Sequence, residues 1–470
     1  MKNESLQSDD AFKLLESSQQ LIFFILINMT ELSENHCIIC DNKFEIDDRI
    51  ITCEKCKNSI HKNCWSQLTI KNKCPYCANP IDIKNFKFDI SSLADIQVNL
   101  FGSVTISDLT FENPVGLFYI PNEIQHLKFV NCKFIGDCRK LFKNCRCLKT
   151  LIFENVDTSA VTNLASMCQF CEDLTNIDLS SFNTSKVENM KHMFQGCERL
   201  TNLNLSNFNT INVKDMNRMF EYCYELTSLN VSSFDTRNVE DVSNMFLGCC
   251  KLTSLDLSSF NTINVENMHG MFAGCGILTH LNLSNFNTIN VKSMYGMFEG
   301  CYELTSLNVS AFDTRNVVNM SCMFEDCSHL TNLNLSNFNT ENLVVMSSMF
   351  RYCENLISLD LSSFNTRNVK YMHDLFNGCK KLVDLNLSSF NTENVEDTSY
   401  MFQHCENLTS LDLSSFNTRN VKSMSCMFRF CQKLTDLNIS NFDTSNVKIH
   451  RNIFDGCESL HTENILKLFK

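Results

Sequence analysis

Apolar and polar residues alternate in short runs from about residue 148 to the end of the chain. In Leu203-Asn204-Leu205 the order is apolar, polar, apolar, which predicts a short β-strand with one buried face. After each such run, apolar residues recur at steps of three and four, as in Val213, Met216, Phe220 and Cys223. That spacing predicts a helix or helical turn with one apolar face, and the side chain of Asn212 is placed to cap its start.

The pattern repeats at a fixed interval of 26 residues. Cysteines keep this step from Cys145 to Cys457, and threonines keep it from Thr158 to Thr444. Twelve units with the pattern L-x-x-L-x-L-S-x-F-x-T-x-N-V-x-x-M-x-x-M-F-x-x-C cover residues 148–459. A period between 20 and 50 residues indicates stacked supersecondary units, each hiding its apolar side chains against the next. The sequence therefore predicts an elongated solenoid of strand, turn and helical return.

This unit resembles the leucine-rich repeat class, and specifically the BspA-like leucine-rich repeat proteins. The resemblance implies an α/β repeat solenoid of about twelve 26-residue units. One position departs from ordinary leucine-rich repeats, because Phe208 and its equivalents stand where those proteins place an asparagine in the turn after the strand.

Two columns of equivalent residues allow more than one interpretation. The periodic cysteines are expected to be small core residues, although metal binding or crosslinking is the alternative. From the second unit onward, the residue between the two apolar strand residues is always Asn or Asp, as in Asp178 and Asn204. This column is expected to be a solvated, hydrogen-bonded ladder, with a polar ligand or cation site as the alternative.

A different pattern precedes the repeats. Eight residues of zinc-ligand type fall in four pairs, each with two residues between its members: Cys37 and Cys40, Cys53 and Cys56, His61 and Cys64, Cys74 and Cys77. Two intervening residues let one tight turn aim both side chains at one ion, and zinc takes four such ligands in a tetrahedron. The pattern therefore predicts two closed Zn²⁺ sites, whose metal supplies much of the folding free energy of so short a segment.

The segment resembles a RING finger, the zinc-binding domain of many ubiquitin ligases. The resemblance groups the first and third pairs around one ion and the second and fourth around the other. The plant-homeodomain finger has the same ligand order and competes with this assignment. That finger usually has a longer gap before its last pair and a Trp two residues ahead of it, whereas here nine residues separate Cys64 from Cys74 and the position is Asn72. The ending Cys74-Pro75-Tyr76-Cys77 is similar to a RING.

RING fingers dock a ubiquitin-conjugating enzyme through an apolar groove. Its usual contributors match Ile39, Leu68 and Pro75 of this chain, for which simple packing is the alternative role. Many active RING fingers carry a basic residue just after the last ligand, where this chain has Ala78.

These patterns predict five segments along the 470 residues. Residues 1–33 form an N-terminal segment that is helical or disordered, and residues 34–82 form the zinc finger. Residues 83–147 form a degenerate cap, residues 148–459 the repeats, and residues 460–470 a closing helix. Terminal units of a solenoid have to cover its exposed core, which is why caps are expected at both ends.

Charge and leader composition restrict the partners and the compartment. The net charge of −13 without a long basic run disfavours nucleic acid, since phosphate binding needs clustered Lys and Arg. The longest apolar run, residues 21–27, is too short to span a membrane and follows an acidic leader. The chain has many thiols, and glycans on the N-x-S sequons of the strands would disrupt the sheet, so both features disfavour secretion. A cytoplasmic location is therefore expected, and it would be the host cytoplasm if the protein is viral.

The sequence contains no catalytic constellation, and a RING ligase needs none. The predicted function is therefore a RING-type ubiquitin ligase that recruits a conjugating enzyme through two Zn²⁺ and holds a protein substrate on the solenoid. A non-enzymatic, zinc-dependent interaction scaffold is the alternative. Residues around the return, such as Lys214, Asp215, Asn217 and Arg218, differ between units and are the first place to look for partner contacts.

Overall fold

A computed structural model describes residues 50–52, 59–61, 95–98, 103–118 and 124–461. The first two of these ranges form β1 (Ile50–Thr52) and β2 (Ser59–His61), which pair antiparallel with Ile50 opposite His61. The remaining ranges contain the repeats and the strands that precede them.

Two sheets begin the solenoid. One has five strands in the order β10, β8, β6, β4, β3, and the other has three in the order β5, β7, β9. All neighbours are parallel except β3, which pairs antiparallel with β4 and lies at the edge of the five-stranded sheet. Their bounds are β3 Asp95–Val98, β4 Ser103–Ser107, β5 Thr110–Glu112, β6 His126–Val130, β7 Lys133–Asp137, β8 Thr150–Glu154, β9 Asp157–Asn163 and β10 Asn176–Asp178. The antiparallel strand β3 thus covers the edge of the five-stranded sheet, where a further parallel coil would otherwise pack.

Eight of the ten coils that follow contribute a strand of three residues, and the equivalent residues 306–308 and 332–334 of the other two form none. These strands are β11 Asn202–Asn204, β12 Ser228–Asn230, β13 Ser254–Asp256, β14 His280–Asn282, β15 Ser358–Asp360, β16 Asp384–Asn386, β17 Ser410–Asp412 and β18 Asp436–Asn438. They pair in parallel, two by two, with equivalent residues opposite each other. A second ladder of parallel bridges runs without a break from Asn163 to Ile449, one per coil. The predicted stacking of identical units is therefore confirmed, with about 13 turns.

The predicted helical return is wrong. No residue in the described part of the chain is helical, and the segment after each Val is a succession of turns. In one coil, the Met193 N–H donates to the Met190 carbonyl at 3.2 Å, while the neighbouring Phe194 N–H donates to Met219 of the next coil at 2.9 Å. An α-helix would need every N–H to find the carbonyl four residues back. Here alternate N–H groups leave the coil, so the fold is a β-solenoid rather than an α/β solenoid.

Backbone conformation explains why the helix does not form. Two residues of this return, His192 (φ 55°) and Gly196 (φ 70°), adopt the left-handed region that interrupts a right-handed helix. The same two places in the coil have positive φ throughout the array, as at Cys322 and Asp326. Side chains three and four residues apart still reach one apolar face, so the predicted buried face is correct although its secondary structure is not.

The predicted helix cap at Asn212 is wrong for the same reason. Its side-chain amide donates to the carbonyl of Ser185 in the preceding coil at 2.7 Å. Equivalent bonds of 2.7 Å join Asn290 to Ile263 and Asn368 to Glu341. This asparagine column therefore links neighbouring coils and caps no helix.

The core is a set of columns that run the length of the array. Leu, Val, Met, Phe and Cys of successive coils lie directly above one another and are fully buried. The periodic cysteines are buried in this core, so their predicted role as small core residues is confirmed. The Sγ of Cys301, for example, donates to the Phe272 carbonyl at 3.3 Å, and burial raises the pKa of Cys223 to about 12.

A column of buried threonines links neighbouring coils in a part of each coil that has no β-strand. The hydroxyl of Thr288 donates to the Asp313 carbonyl of the next coil and accepts the Asp313 N–H, both at 2.8 Å. Thr314 makes the same donation to Asn339. One hydroxyl thus bonds both the carbonyl and the N–H of one residue, in a turn that takes part in no strand pairing.

Candidate functional site

Most of the predicted zinc and docking residues lie outside the described residues. This holds for Cys37, Cys40, Cys53, Cys56, Cys64, Cys74, Cys77, Ile39, Leu68, Pro75 and Ala78. His61 is the last residue of β2 and pairs with Ile50 of β1. The antiparallel pairing closes a hairpin whose connecting sequence, residues 53–58, contains one CxxC pair. The two zinc sites remain a prediction.

The described part of the solenoid offers no metal site. No group of three or more His, Cys, Asp or Glu residues in it could hold an ion. In the same part of the chain, no helix is long and apolar enough to cross a membrane.

The strand face is formed by the first and third residues of the strands β10 to β18. The middle Leu or Ile of each strand points inward, while the flanking residues are exposed. These exposed residues are Asn, Ser, Asp and one His, and none of them is Lys or Arg. The strand face therefore presents amide, hydroxyl and carboxylate groups without a permanent cation.

An open depression of about 540 Å³ lies on the strand face at its first coils. Its lining includes Asn202, Asn204, Ser228, Asn230 and Asp256. An amide side chain carries both a hydrogen-bond donor and an acceptor, so this surface can bind either donor or acceptor groups of a polar partner.

The Asn and Asp column of the strand face is hydrogen-bonded, as predicted. Asn204 accepts the Ser206 N–H at 3.1 Å, and Asp256 accepts the Ser258 N–H at 2.9 Å. The bond from the Ser258 backbone, followed by that from its hydroxyl, lowers the pKa of Asp256. These oxygens support the turn that follows each strand.

The variable residues of the return face are only partly free for a partner. Lys214 is exposed, but Asp215, Asn217 and Arg218 are half-buried. Asn217 donates to the Ser243 carbonyl of the next coil at 3.0 Å, and Arg218 pairs with buried Glu221 at 2.9 Å. Burial raises the pKa of Glu221 against the opposing effect of Arg218. Part of the variation on this face therefore serves contacts between coils.

A second surface was not expected from the sequence. We use the name tyrosine notch for Tyr222, Tyr224 and Tyr302 together with the residues between them, Gly248, Cys250, Gly274, Gly276 and Gly300. The three tyrosines are 37 %, 37 % and 49 % exposed, although most large apolar side chains of the solenoid are buried. The signal in the sequence is the run of glycines at 248, 274 and 300, since other coils rarely carry glycine twice in succession at this place.

Solved structures with similar chains include bacterial repeat proteins. One is a leucine-rich repeat protein from Bacteroides ovatus ATCC 8483, with 16 % identity over 79 % of this chain and 95 % of that chain, and a TM-score of 0.35. Another is a leucine rich cell surface protein from Faecalibacterium prausnitzii A2-165, with 13 % identity over 80 % and 94 %, and a TM-score of 0.28. No curated protein matches the sequence of this chain.

Stacked parallel coils, most of them with a short leucine-bearing strand, define a leucine-rich-repeat-like β-solenoid. The family model described as "Mycoplasma protein of unknown function, DUF285" matches residues 115–228, 196–306, 277–384, 302–410 and 346–467. These matches together cover about three quarters of the chain. The chain belongs to the DUF285 family.

Proposed function

We propose that this protein is a RING-type ubiquitin ligase whose solenoid holds the substrate or partner and whose residues 34–82 bind two Zn²⁺ and recruit a ubiquitin-conjugating enzyme. The observation that carries the ligase part is the set of eight Cys and His ligands in four CxxC-type pairs. Such thiolate and imidazole donors fit structural zinc in number and kind. The hairpin of β1 and β2, with His61 at its end, is compatible with this grouping.

The receptor part rests on how the coils differ from one another. Buried columns keep Leu, Phe, Met, Cys and Thr through successive coils, while exposed positions change. A solenoid exposes a long surface at little cost to its core because each coil contacts only its neighbours. The strand face, with its amide and hydroxyl groups, is large enough to hold a protein segment.

The ligase mechanism needs no nucleophile in this chain. Holding the charged conjugating enzyme close to a substrate lysine raises the effective concentration of the reacting groups. Ile39, Leu68 and Pro75 would form the apolar groove for the enzyme, and the solenoid would present the lysine.

Ubiquitin transfer tests this proposal. The zinc-loaded full chain should form ubiquitin conjugates with at least one member of a panel of conjugating enzymes. Ile39→Ala should lower the rate about tenfold, since a buried apolar anchor in an interface contributes on the order of 1–2 kcal/mol. Ile277→Ala is a matched control, because Ile277 is 42 % exposed on the solenoid and should not affect transfer.

The same experiment discriminates the alternative, a zinc-dependent scaffold without enzymatic activity. Ala78, in place of a basic residue after the last ligand, favours that alternative. A chain that binds zinc and retains a partner but transfers no ubiquitin with any enzyme of the panel would refute the ligase.

A further inference from the structure

The tyrosine notch has a floor of bare backbone. Gly248, Gly274 and Gly300 lie in consecutive coils with φ of 75°, 69° and 68°. A Cβ built on Gly274 would lie 3.4 Å from the Gly248 Cα, and one on Gly300 would lie 3.6 Å from the Gly274 Cα. The three backbones therefore stack closely, and of the three only Gly274 has no side chain within 4 Å of its ideal Cβ position, which leaves a shallow trough over Gly274.

Aromatic rings wall this trough from both ends. The ring of Tyr222 leans over Gly248, with its Cδ1 2.8 Å from the ideal Cβ position, and Tyr224 lies 5.7 Å from it between ring centroids. Tyr302 leans the other way over Gly276, where the corresponding distance is 3.2 Å. Tyr224 and Tyr302 are three coil-to-coil steps apart, roughly 14 Å at about 4.8 Å per step. Because the rings lean over Gly248 and Gly276 in the two coils between them, the remaining gap is narrower than the roughly 10 Å diameter of a helix and suits one extended side chain.

The charge around the tyrosine notch is negative. Burial first, and then the charges of Glu198 and other neighbours, raise the pKa of Tyr224. Burial and the charges of Asp326 and Glu299 raise the pKa of Tyr302 in the same way. The nearby cation Lys251 is already paired with Glu225 at 2.6 Å.

We infer that the tyrosine notch binds an arginine side chain carried by an extended, basic segment of a protein partner. A planar guanidinium stacks on aromatic faces, and the acidic surroundings add attraction that a neutral side chain would lack. The net charge of −13 favours the approach of a basic segment. This inference rests on the proposed receptor role of the solenoid and supplies the chemistry of one contact.

A defined peptide provides the test. The probe is a fluorescein-labelled nonapeptide with three Gly-Arg-Gly repeats, titrated against the zinc-loaded full chain by fluorescence anisotropy at low salt. The comparison peptide replaces each arginine by citrulline, which keeps the shape and removes the charge. Wild type should bind the arginine peptide at least fivefold more tightly than the citrulline peptide.

Variants locate the binding. Tyr224→Ala with Tyr302→Ala should weaken binding roughly tenfold, the combined effect of two exposed cation–π contacts. Tyr371→Ala with Tyr400→Ala is the matched control, since these tyrosines are 40 % and 39 % exposed elsewhere and should leave binding unchanged. Cys250→Lys places an ammonium group in the trough and should abolish binding. A circular dichroism melt confirms that each variant is folded.

Three results would overturn the inference: equal affinity for the citrulline peptide, wild-type affinity in the Tyr224 and Tyr302 variant, or an equal loss in the control variant. Absence of binding to the arginine peptide would overturn it as well. Neither ubiquitin nor a conjugating enzyme enters this measurement, so its outcome is separate from that of the ligase proposal.

Discussion

Replacing Phe298 by alanine is expected to lower the free energy of unfolding by about 3–5 kcal/mol and to split the unfolding transition. Phe298 is fully buried, and its ring stacks between Phe272 at 5.6 Å and Phe324 at 5.7 Å. The cavity would remove both stacking contacts near the middle of the array. Because each coil contacts only its neighbours, a weakened central interface lets the two halves unfold separately. Urea unfolding followed by circular dichroism measures both effects.

Phe194→Ala is the matched control for this variant. Phe194 is equally buried and stacks on Phe220 at 5.9 Å, but Cys168 takes the corresponding place in the preceding coil. Phe194→Ala should therefore destabilise the protein by about 1 kcal/mol less than Phe298→Ala does, because it removes one aromatic pair fewer. Equal destabilisation with a single transition in both variants would show that the phenylalanine column does not couple the coils as described.

Gly378→Ala is the second change with a large expected effect, a loss of about 2–4 kcal/mol. Its φ of 78° costs an alanine roughly 1 kcal/mol, and the new Cβ would lie 2.3 Å from Cδ1 of the Tyr352 ring. The ring cannot move away without cost, because the Arg351 guanidinium lies 4.6 Å from its centroid. Thermal or urea unfolding of the purified variant measures the loss.

Gly274→Ala separates strain from collision. Gly274 has a similar φ of 69°, but its nearest neighbour to a new Cβ is at an ordinary 3.4 Å. This control should lose only about 1 kcal/mol. In a Tyr352→Ala background, the loss of stability caused by Gly378→Ala should fall to about the same 1 kcal/mol. If both glycine variants cost the same in the wild-type background, the ring does not require glycine beneath it.

The repeat length, the strand positions and the buried cysteines could all be predicted from the sequence, because each depends on a local pattern that recurs. The helical return could not be rejected in this way. Val213, Met216 and Phe220 have a spacing that serves a helix and a chain of turns equally well. What decides between them is the bond from Phe194 to Met219 in the next coil, which a pattern within one coil does not contain.

A signal for the turns was nevertheless present between coils. Gly196 follows Phe170 by one period, and Gly378 follows Tyr352 in the same way. A glycine directly beneath an aromatic ring marks a place without room for Cβ, and its positive φ excludes a continuous helix. The tyrosine notch escaped prediction because its residues meet only after the coils stack, and they lie 26, 52 and 78 residues apart in the sequence.

The zinc content of the purified full chain tests the proposed architecture most directly. None of the twenty cysteines outside the N-terminal segment belongs to a group of three or more possible metal ligands in the described part of the chain. The eight predicted ligands are therefore the sites at which bound zinc is expected. Elemental analysis should find two zinc ions per folded chain. Fewer than two would contradict the account, since neither a ligase nor a zinc-dependent scaffold could then be built on residues 34–82.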